Sequence, residues 1–381
     1  MKILIVHNKY SQLGGEDVAV DNEIELLSDY FNVETIFFKN EIKSYLSQFI
    51  YFIRNNNKTS VSELEKKIKE FQPDIAYVHN TWFKASLAIF NVLRKHNIKT
   101  LVKLHNFRYD CTRFFLKHNH LKTDHTCPKC GMINKRSSFF NKYFKESFLK
   151  SVFMIIYGKK YFKILNRYEL KILVLTNFHK KYLTSLGIQS SKIYVSRNPI
   201  KMNNKKLDNS KKNYFVYSGR ISEEKGVNEL INAFLDSNIK DFGLKIVGDG
   251  PDLKKLKNKY SKNNIEFLGL IPNKESLKII ENSIAVITAT KLYEGQPMLL
   301  CEASSLGVPS IFPNFGGISE FFPENNQLAF EQFNYGDLLK KINMFCDSDF
   351  INKAGVENKN YIEDKLNSKN LVEQFKSIIN E

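Results

Sequence analysis

Short apolar runs alternate along the chain with segments of helical periodicity, and this alternation predicts an α/β fold. Ile3–His7 is typical of a buried strand, and Val18–Leu27 then places its apolar residues on one helical face. The pattern restarts at Tyr214–Tyr217, a predicted strand, followed by Val227–Leu235, a predicted helix. Further strands are predicted at Val33–Phe38, Ile75–Val78, Thr100–Leu104, Ile172–Thr176, Leu244–Val247, Ile265–Leu268, Ile284–Thr288 and Pro309–Phe312. Alternation of this kind is typical of parallel sheets covered by helices.

The two halves of this pattern predict two domains. A chain of 381 residues exceeds one ordinary core. Residues 199–213 are rich in Lys, Asn, Asp and Ser, so they are interpreted as a linker. We therefore expect an N-terminal domain over 1–198, a second domain over 214–360, and a C-terminal helix over 361–381 that packs back on the first domain. Ligands of such sheets bind at the carboxyl ends of the strands.

The positive charge of the chain is concentrated in one stretch. The formal net charge is +17, and residues 101–200 hold 20 Lys and Arg but only 4 Asp and Glu. Residues 201–381 hold 24 of each kind, so a general lysine bias does not explain the excess. A basic region of this kind indicates an anionic partner: nucleic acid, an anionic membrane surface or an acidic ligand.

Composition also predicts the cellular compartment. Met1 leads directly into a predicted strand rather than a signal peptide. The longest apolar candidate, Val152–Tyr157, is far shorter than a bilayer-spanning helix. Five cysteines are too few for a disulfide framework. We expect a cytosolic protein with reduced thiols.

The loop after Tyr214–Tyr217 carries two cations between a strand and a helix. Gly219 and Gly226 permit a tight turn, and Arg220 and Lys225 suit the oxygens of a phosphate group. The following helix start adds free N–H groups that favour an anion. A solvated basic loop is the alternative interpretation. Gly248 closes the next predicted strand, where a plain strand-to-helix turn is equally consistent with the sequence.

A second motif places two carboxylates around a helix start. Glu294 and Gly295 precede Pro297, which suits a first helical position, and Glu302 lies a little over one turn into the helix. Carboxylates accept strong hydrogen bonds from vicinal hydroxyls, so this pair suits a hydroxyl-rich ligand. The alternative is one helix-start glutamate and one unrelated surface glutamate.

Together these motifs resemble glycosyltransferase family 4, which has the GT-B fold. The family's Gly-Arg and Glu-Lys-Gly element corresponds to Gly219-Arg220 and Glu224-Lys225-Gly226, and its paired glutamates correspond to Glu294 and Glu302. A later Gly-Gly-x-x-Glu element corresponds to Gly316-Gly317 and Glu320. The likeness covers most of the chain and is strongest over 214–320. It implies two Rossmann-like, doubly wound parallel-sheet domains facing across a cleft.

The resemblance also implies roles for individual residues. Arg220 and Lys225 would hold the donor diphosphate, Glu302 the ribose hydroxyls and Glu294 the donor sugar, while His105 would contact that sugar and share the catalytic site. The remaining donor-binding positions are Gly14, Gly15, Gly219, Gly248, Gly295, Gln296, Pro297 and Met298. Acceptor-side candidates are Glu16, His79 and Asn106. Gln296-Pro297-Met298 departs from the family, which usually has an aromatic and a small residue there.

The activity implied by the resemblance is retaining transfer of a hexose from a UDP or GDP sugar. The acceptor would be a hydroxyl of a lipid-linked glycan in bacterial surface polysaccharide synthesis, at the inner face of the cell membrane. No redox cofactor, catalytic metal or nucleic acid is expected. The alternatives are another GT-B enzyme, such as a nucleotide-sugar epimerase or phosphorylase, and a non-catalytic basic protein that binds nucleic acid or membrane.

Two further segments carry separate hypotheses. In the loop over 107–135, Cys127 and Cys130 have the spacing of half a structural zinc site, with Cys111 as a third ligand. Three reduced thiols are the alternative. The stretch 139–168 interleaves aromatic residues with lysines, which suits a helix on an anionic membrane. It is also consistent with nucleic-acid binding or with a core helix that has a solvated face.

Overall fold

The chain forms two compact units. The computed structural model describes residues 1–9, 14–39, 57–82, 84–110, 148–202, 212–239, 241–260, 264–324 and 326–381. Met1–Pro199 and Ser368–Glu381 form the first unit, and Ile200–Asn367 forms the second. Cys111, Cys127, Cys130, the loop over 107–135 from residue 111 onward, and residues 139–147 of the basic stretch lie outside the described residues.

The described part of the first unit contains a six-stranded, all-parallel sheet in the order β2-β1-β3-β4-β5-β6. Its strands are β1 (Lys2–Lys9), β2 (Asn32–Lys39), β3 (Ile75–Val78), β4 (Lys99–Leu104), β5 (Lys171–Val174) and β6 (Ile193–Val195). Within the described part of residues 1–199 the helices are α1 (Gly15–Ser28), α2 (Lys58–Phe71), α3 (Ile89–Lys95), α4 (Phe148–Arg167) and α5 (Asn177–Ser185), with a 3-10 turn at Ser190–Lys192. Ile3–Val6 is completely buried, as expected for a parallel strand covered on both faces.

The second unit repeats this architecture within its described residues, with a parallel sheet in the order β12-β11-β10-β7-β8-β9. Its strands are β7 (Tyr214–Ser218), β8 (Gly243–Val247), β9 (Ile265–Gly269), β10 (Ala285–Ile287), β11 (Ser310–Pro313) and β12 (Ala329–Phe330). Its helices are α6 (Val227–Leu235), α7 (Leu253–Tyr260), α8 (Asn273–Glu281), α9 (Met298–Ser305), α10 (Tyr335–Asn343) and α11 (Ser348–Lys365). Short 3-10 turns lie at Glu223–Lys225, Ile318–Phe321 and Met344–Cys346. The prediction of two doubly wound α/β sheets is confirmed.

The last helix, α12 (Ser368–Asn380), packs in the first unit although the chain has just left the second. Its Phe375, Ile378 and Ile379 are buried in the cluster that contains Ile3 and Tyr77. Lys171 Nζ donates to the Ile378 carbonyl at 2.5 Å, and Lys99 Nζ donates to the Ile379 carbonyl. These two cations satisfy carbonyls at the helix C-terminus, where positive charge is favourable.

The described residues include no helix long and apolar enough to cross a bilayer. Helix α4 is the longest described helix, and most of its apolar side chains from Met154 onward pack inside the first unit. Tyr157, Tyr161, Phe162 and Leu165 are all buried, whereas Lys159 and Lys163 are exposed. Over residues 148–167 the stretch is therefore a core helix with a solvated basic face, one of the alternatives that the sequence left open.

Candidate functional site

The second sheet changes winding direction between β7 and β10, which are neighbours in the sheet. Loops that follow strands on either side of such a point diverge and leave a ligand site at the carboxyl edge. The loop after β7 carries Lys225, and the loop after β10 carries Thr290 and Glu294. Lys225 Nζ forms an ion pair with Glu294 Oε1, and Thr290 Oγ1 donates to the same carboxylate oxygen at 3.0 Å. The structure thus joins two residues that the sequence motifs named separately.

The backbone of Glu294 is fixed from a third loop. The Gly317 N–H donates to the Glu294 carbonyl at 3.0 Å. Gly317 follows β11 and belongs to the Gly-Gly-x-x-Glu element of the sequence. This glycine pair therefore supports the loop that carries Glu294.

Arg220 stands at the end of β7 with its side chain exposed. Among the described residues its guanidinium has no hydrogen-bond or ion-pair partner. Its carbonyl accepts a 2.7 Å hydrogen bond from the hydroxyl of Tyr217. Burial raises the pKa of Tyr217, and the carboxylates of Glu294 and Glu224 raise it further, so this hydroxyl keeps its proton. The strand end is thus anchored while the guanidinium stays available to an anionic ligand.

Gly219 and Gly248 bring two strand ends into direct backbone contact. A Cβ on Gly248 would lie 1.9 Å from the carbonyl oxygen of Gly219, and Gly248 also has a φ of +128°. Only glycine meets both conditions. The close approach brings the exits of β7 and β8 together at Gly219, the residue before Arg220.

Helix α9 begins directly after Pro297 and carries Glu302 on its second turn. Glu302 is half-buried, and the loss of solvation raises its pKa to about 7, while a hydrogen bond from Asn273 acts in the opposite direction. The side chain of Gln296 is buried and hydrogen bonded to the thiol of Cys301. Glu302 is therefore a carboxyl that changes charge near neutral pH and stands close to the helix start.

In the first unit, histidines end two neighbouring strands. His79 follows β3 and His105 follows β4, and His79 Nδ1 lies 2.9 Å from His105 Nε2. Their rings are stacked with centroids 5.3 Å apart. A small pocket at this sheet edge is lined by both rings together with Asn106, Arg108 and Tyr157.

The glycine loop after β1 is tied to the same sheet. The Gly14 N–H donates to Asp17 Oδ2 at 3.0 Å, and Asp17 Oδ1 lies 2.8 Å from His7 Nε2. Asn106 Nδ2 donates to Glu16 Oε2 at 3.2 Å. The structure therefore brings together Glu16 and Asn106, two residues that the sequence placed on the acceptor side.

A buried ion pair lies in the first unit, with its lysine on β4, the strand that His105 follows. Lys103 Nζ is 2.9 Å from both carboxylate oxygens of Glu23, and Tyr77 Oη donates to Glu23 Oε1 at 2.8 Å. Lys103 and Tyr77 are completely buried. An unpaired buried charge would be strongly unfavourable, so each member of this network depends on the others.

Several of these partners were absent from the sequence analysis. Thr290, Asp17 and Lys103 were not named as candidates. A signal existed for Lys103, because a lysine interrupts the apolar run of β4, and for Asp17, which lies three residues after Gly14 at a helix start. Thr290 has no such signal, since its contact with Glu294 depends on the path of an irregular loop. Among the described residues no cluster of His, Cys, Asp and Glu is arranged to hold a metal ion.

Comparison with known proteins shows which sequences this chain is similar to. Residues 200–379 match the family model described as "Glycosyl transferases group 1". An uncharacterized glycosyltransferase of Methanocaldococcus jannaschii is 24% identical over 365 residues, which cover 94% of this chain and 92% of that protein. The capsular polysaccharide biosynthesis glycosyltransferase CapM of Staphylococcus aureus is 23% identical, covering 87% of this chain and 92% of CapM.

The fold is shared with a solved structure over the whole chain. Anabaena HepE, in complex with UDP and glucose, aligns with a TM-score of 0.71 at 14% identity, covering 100% of this chain and 99% of HepE. At this identity the likeness establishes the common fold.

Proposed function

We propose that this chain, which has the GT-B fold, is a glycosyltransferase that transfers a sugar, specifically a hexose, from a nucleoside diphosphate donor to a hydroxyl of a glycan. The observation that carries this proposal is the cluster at the β7/β10 edge. There Arg220, with an exposed guanidinium, lies in the same loop as Lys225, which is paired with the carboxylate of Glu294. Cations suit the diphosphate, and carboxylates suit sugar hydroxyls.

We assign the diphosphate to Arg220 and Lys225, whose loop precedes helix α6. The side chain of Arg220 is exposed, so it can form two parallel hydrogen bonds to phosphate oxygens. Lys225 would share its charge between Glu294 and the diphosphate. We assign the ribose hydroxyls to Glu302, and the donor sugar to Glu294, to the backbone from Gly295 to Met298, and to His105. Gly14, Gly15, Gly219 and Gly248 would let the backbone approach the donor closely.

The proposed reaction retains the configuration at the anomeric carbon. The acceptor hydroxyl attacks from the side of the leaving group, and the departing diphosphate accepts its proton. Negative charge grows on the diphosphate in the transition state, so the two cations contribute to the rate by stabilising it. Glu294 would orient the sugar and stabilise positive character at its ring. The chemistry assigned to these residues needs no catalytic metal.

The nucleotide and the acceptor are proposed from relatives. HepE binds UDP, which favours a UDP sugar over a GDP sugar as the donor. CapM is a capsular polysaccharide glycosyltransferase, which supports a growing surface glycan as the acceptor. We propose that this glycan is lipid-linked, that Glu16, His79 and Asn106 lie on its side of the site, and that the enzyme works at the inner membrane surface.

A thermal-shift screen with UDP and GDP sugars tests the proposal, because a ligand that binds only the folded protein raises its melting temperature. We expect one UDP sugar to stabilise the wild-type protein. In turnover of that sugar, Arg220→Ala and Lys225→Ala should each lose about 100-fold or more in kcat. Lys255→Ala, an exposed lysine on α7, is the matched control and should keep its turnover. Full turnover in Lys225→Ala, or stabilisation by none of the donors, would contradict the assignment.

A further inference from the structure

The two histidines at the ends of β3 and β4 share one proton. His79 Nδ1 and His105 Nε2 are 2.9 Å apart, which is a hydrogen-bond distance. In a neutral imidazole one nitrogen donates and the other accepts. The proton between the rings therefore belongs either to His79 or to His105, and its position sets the tautomer of both.

Both rings are neutral at physiological pH. Burial lowers the pKa of His79 and of His105 well below the usual value, and the nearby ammonium of Lys103 lowers both further. The other facing groups act in the same direction: His7 from β1 on both rings, and His179 from α5 on His105. Three carboxylates of this unit are engaged with other groups: Asp17 with His7, Glu23 with Lys103 and Glu16 with Asn106.

The second ring nitrogen of His79, Nε2, determines which of the two rings donates the hydrogen bond. His79 Nε2 is buried and has no hydrogen-bond partner among the described residues. If His105 donated, His79 would carry its proton on Nε2, which would leave a buried N–H without an acceptor, a rare arrangement in folded proteins. If His79 donates, Nε2 is a bare lone pair, which the positive charge of Lys103 stabilises.

We infer that His79 is a positioning residue that donates from Nδ1 to His105 Nε2 and thereby holds the proton of His105 on Nδ1. His105 is the more exposed of the two rings, and Nδ1 is its remaining nitrogen. The inference rests on the proposed contact between His105 and the donor sugar. It gives that contact a direction: His105 donates a hydrogen bond to a sugar oxygen, and it cannot act as a general base.

Nitrogen NMR of histidine-labelled protein tests the tautomers without any assay of activity. Long-range proton–nitrogen correlations distinguish a protonated ring nitrogen from a bare one, and His79 and His105 variants assign the signals. We expect protonated Nδ1 and bare Nε2 in both rings. A proton on Nε2 of His105, or a charged His105 at neutral pH, would overturn the inference.

Two substitutions of His79 give a second, functional measurement. The amide of Asn occupies the position of Nδ1, whereas the amide of Gln reaches that of Nε2. We therefore expect His79→Asn to keep the His105 tautomer, and His79→Gln to have about tenfold lower kcat than His79→Asn with a smaller difference in KM. His96→Gln, outside the site, is the control, and thermal unfolding checks that each variant folds. Equal kcat in the Asn and Gln variants would contradict the positioning role.

Failure of the proposed function would give a different experimental result from failure of the inference about His79. If the wild-type protein bound no nucleotide sugar, the assignment of the site would be wrong even with the expected tautomers. If donor binding and turnover held but the tautomers were reversed, only the inference about His79 would fall.

Discussion

Glu302 is a residue of the second unit whose charge depends on its burial. Burial raises its pKa from 4.5 to about 7, so the folded protein holds this proton more tightly than the unfolded chain does. Between these two pKa values the folded state binds more protons, and the stability of the fold falls as the pH rises. A ligand that donates hydrogen bonds to the carboxylate reverses the preference, because it stabilises the charged form.

Donor binding should therefore be linked to the loss of a proton from Glu302. We expect affinity for the UDP sugar to rise between about pH 6 and 8, with release of roughly half a proton per donor near pH 7. Glu302→Gln should bind the donor more weakly at about pH 8 and show no such pH dependence. Its unliganded form should be more stable than wild type at about pH 8, by on the order of 2 kcal/mol.

Calorimetry in buffers of different ionisation enthalpy counts the released protons, and denaturant titration measures the stability. Glu275→Gln, an exposed glutamate on α8, is the control. Donor binding that takes up no proton and releases none would rule out the role of Glu302 at the ribose.

Helix α12 is the element that links the end of the chain to the first unit. Its Phe375 ring packs against Tyr77 on β3 and Phe31, with centroids 5.3 Å and 5.9 Å away. Tyr77 in turn donates to Glu23, the partner of Lys103. The helix therefore supports the same strand whose end carries His79.

Truncating this helix contact should loosen the first unit selectively. Phe375→Ala removes a buried aromatic side chain, and we expect a loss of about 3 kcal/mol in local stability. Hydrogen exchange should become faster in β1 and β3 while β7 and β8 keep their protection. Val356→Ala on α11, where the side chain is exposed, is the control and should change little. Unchanged exchange in β3 would show that the helix does not support that strand.

At the scale of the whole molecule, the excess positive charge does not come from residues 201–381, which hold equal numbers of basic and acidic residues. In helix α4 the charge is displayed by exposed lysines, while Phe148 and Leu149 at its start are 54% and 60% exposed. Exposed lysines and two exposed apolar side chains on one helix suit an anionic lipid surface. The buried aromatic residues of α4 cannot contribute to that contact.

We expect the protein to sediment with vesicles containing phosphatidylglycerol at low salt and to be released at about 0.5 M salt, where charges are screened. The double substitution Phe148→Ser with Leu149→Ser should weaken this binding several-fold. Leu270→Ser is the matched control, because Leu270 is 68% exposed but belongs to the second unit. If the double variant bound the vesicles as strongly as the wild-type protein, α4 would not be the membrane contact.

The sequence predicted the sheets better than it predicted the site. Continuous apolar runs such as Ile3–Val6 are a strong signal, whereas β6 and β12, with three and two residues, are too short to give one and were missed. The sequence placed Lys225 and Glu294 in two motifs of one domain but did not predict the ion pair between them. The bond between His79 and His105 could not, because it depends on the register of β3 against β4.

The placement of α12 also constrains the order in which the two units complete their folding during translation. The second unit is continuous from Ile200 to Asn367, so a ribosome delivers all of it before the first unit has received Ser368–Glu381. Until then Tyr77 and Phe31 lack the aromatic ring that covers them. The half of the protein translated first is therefore the half that finishes folding last, and its exposed apolar surface is open to chaperones throughout synthesis.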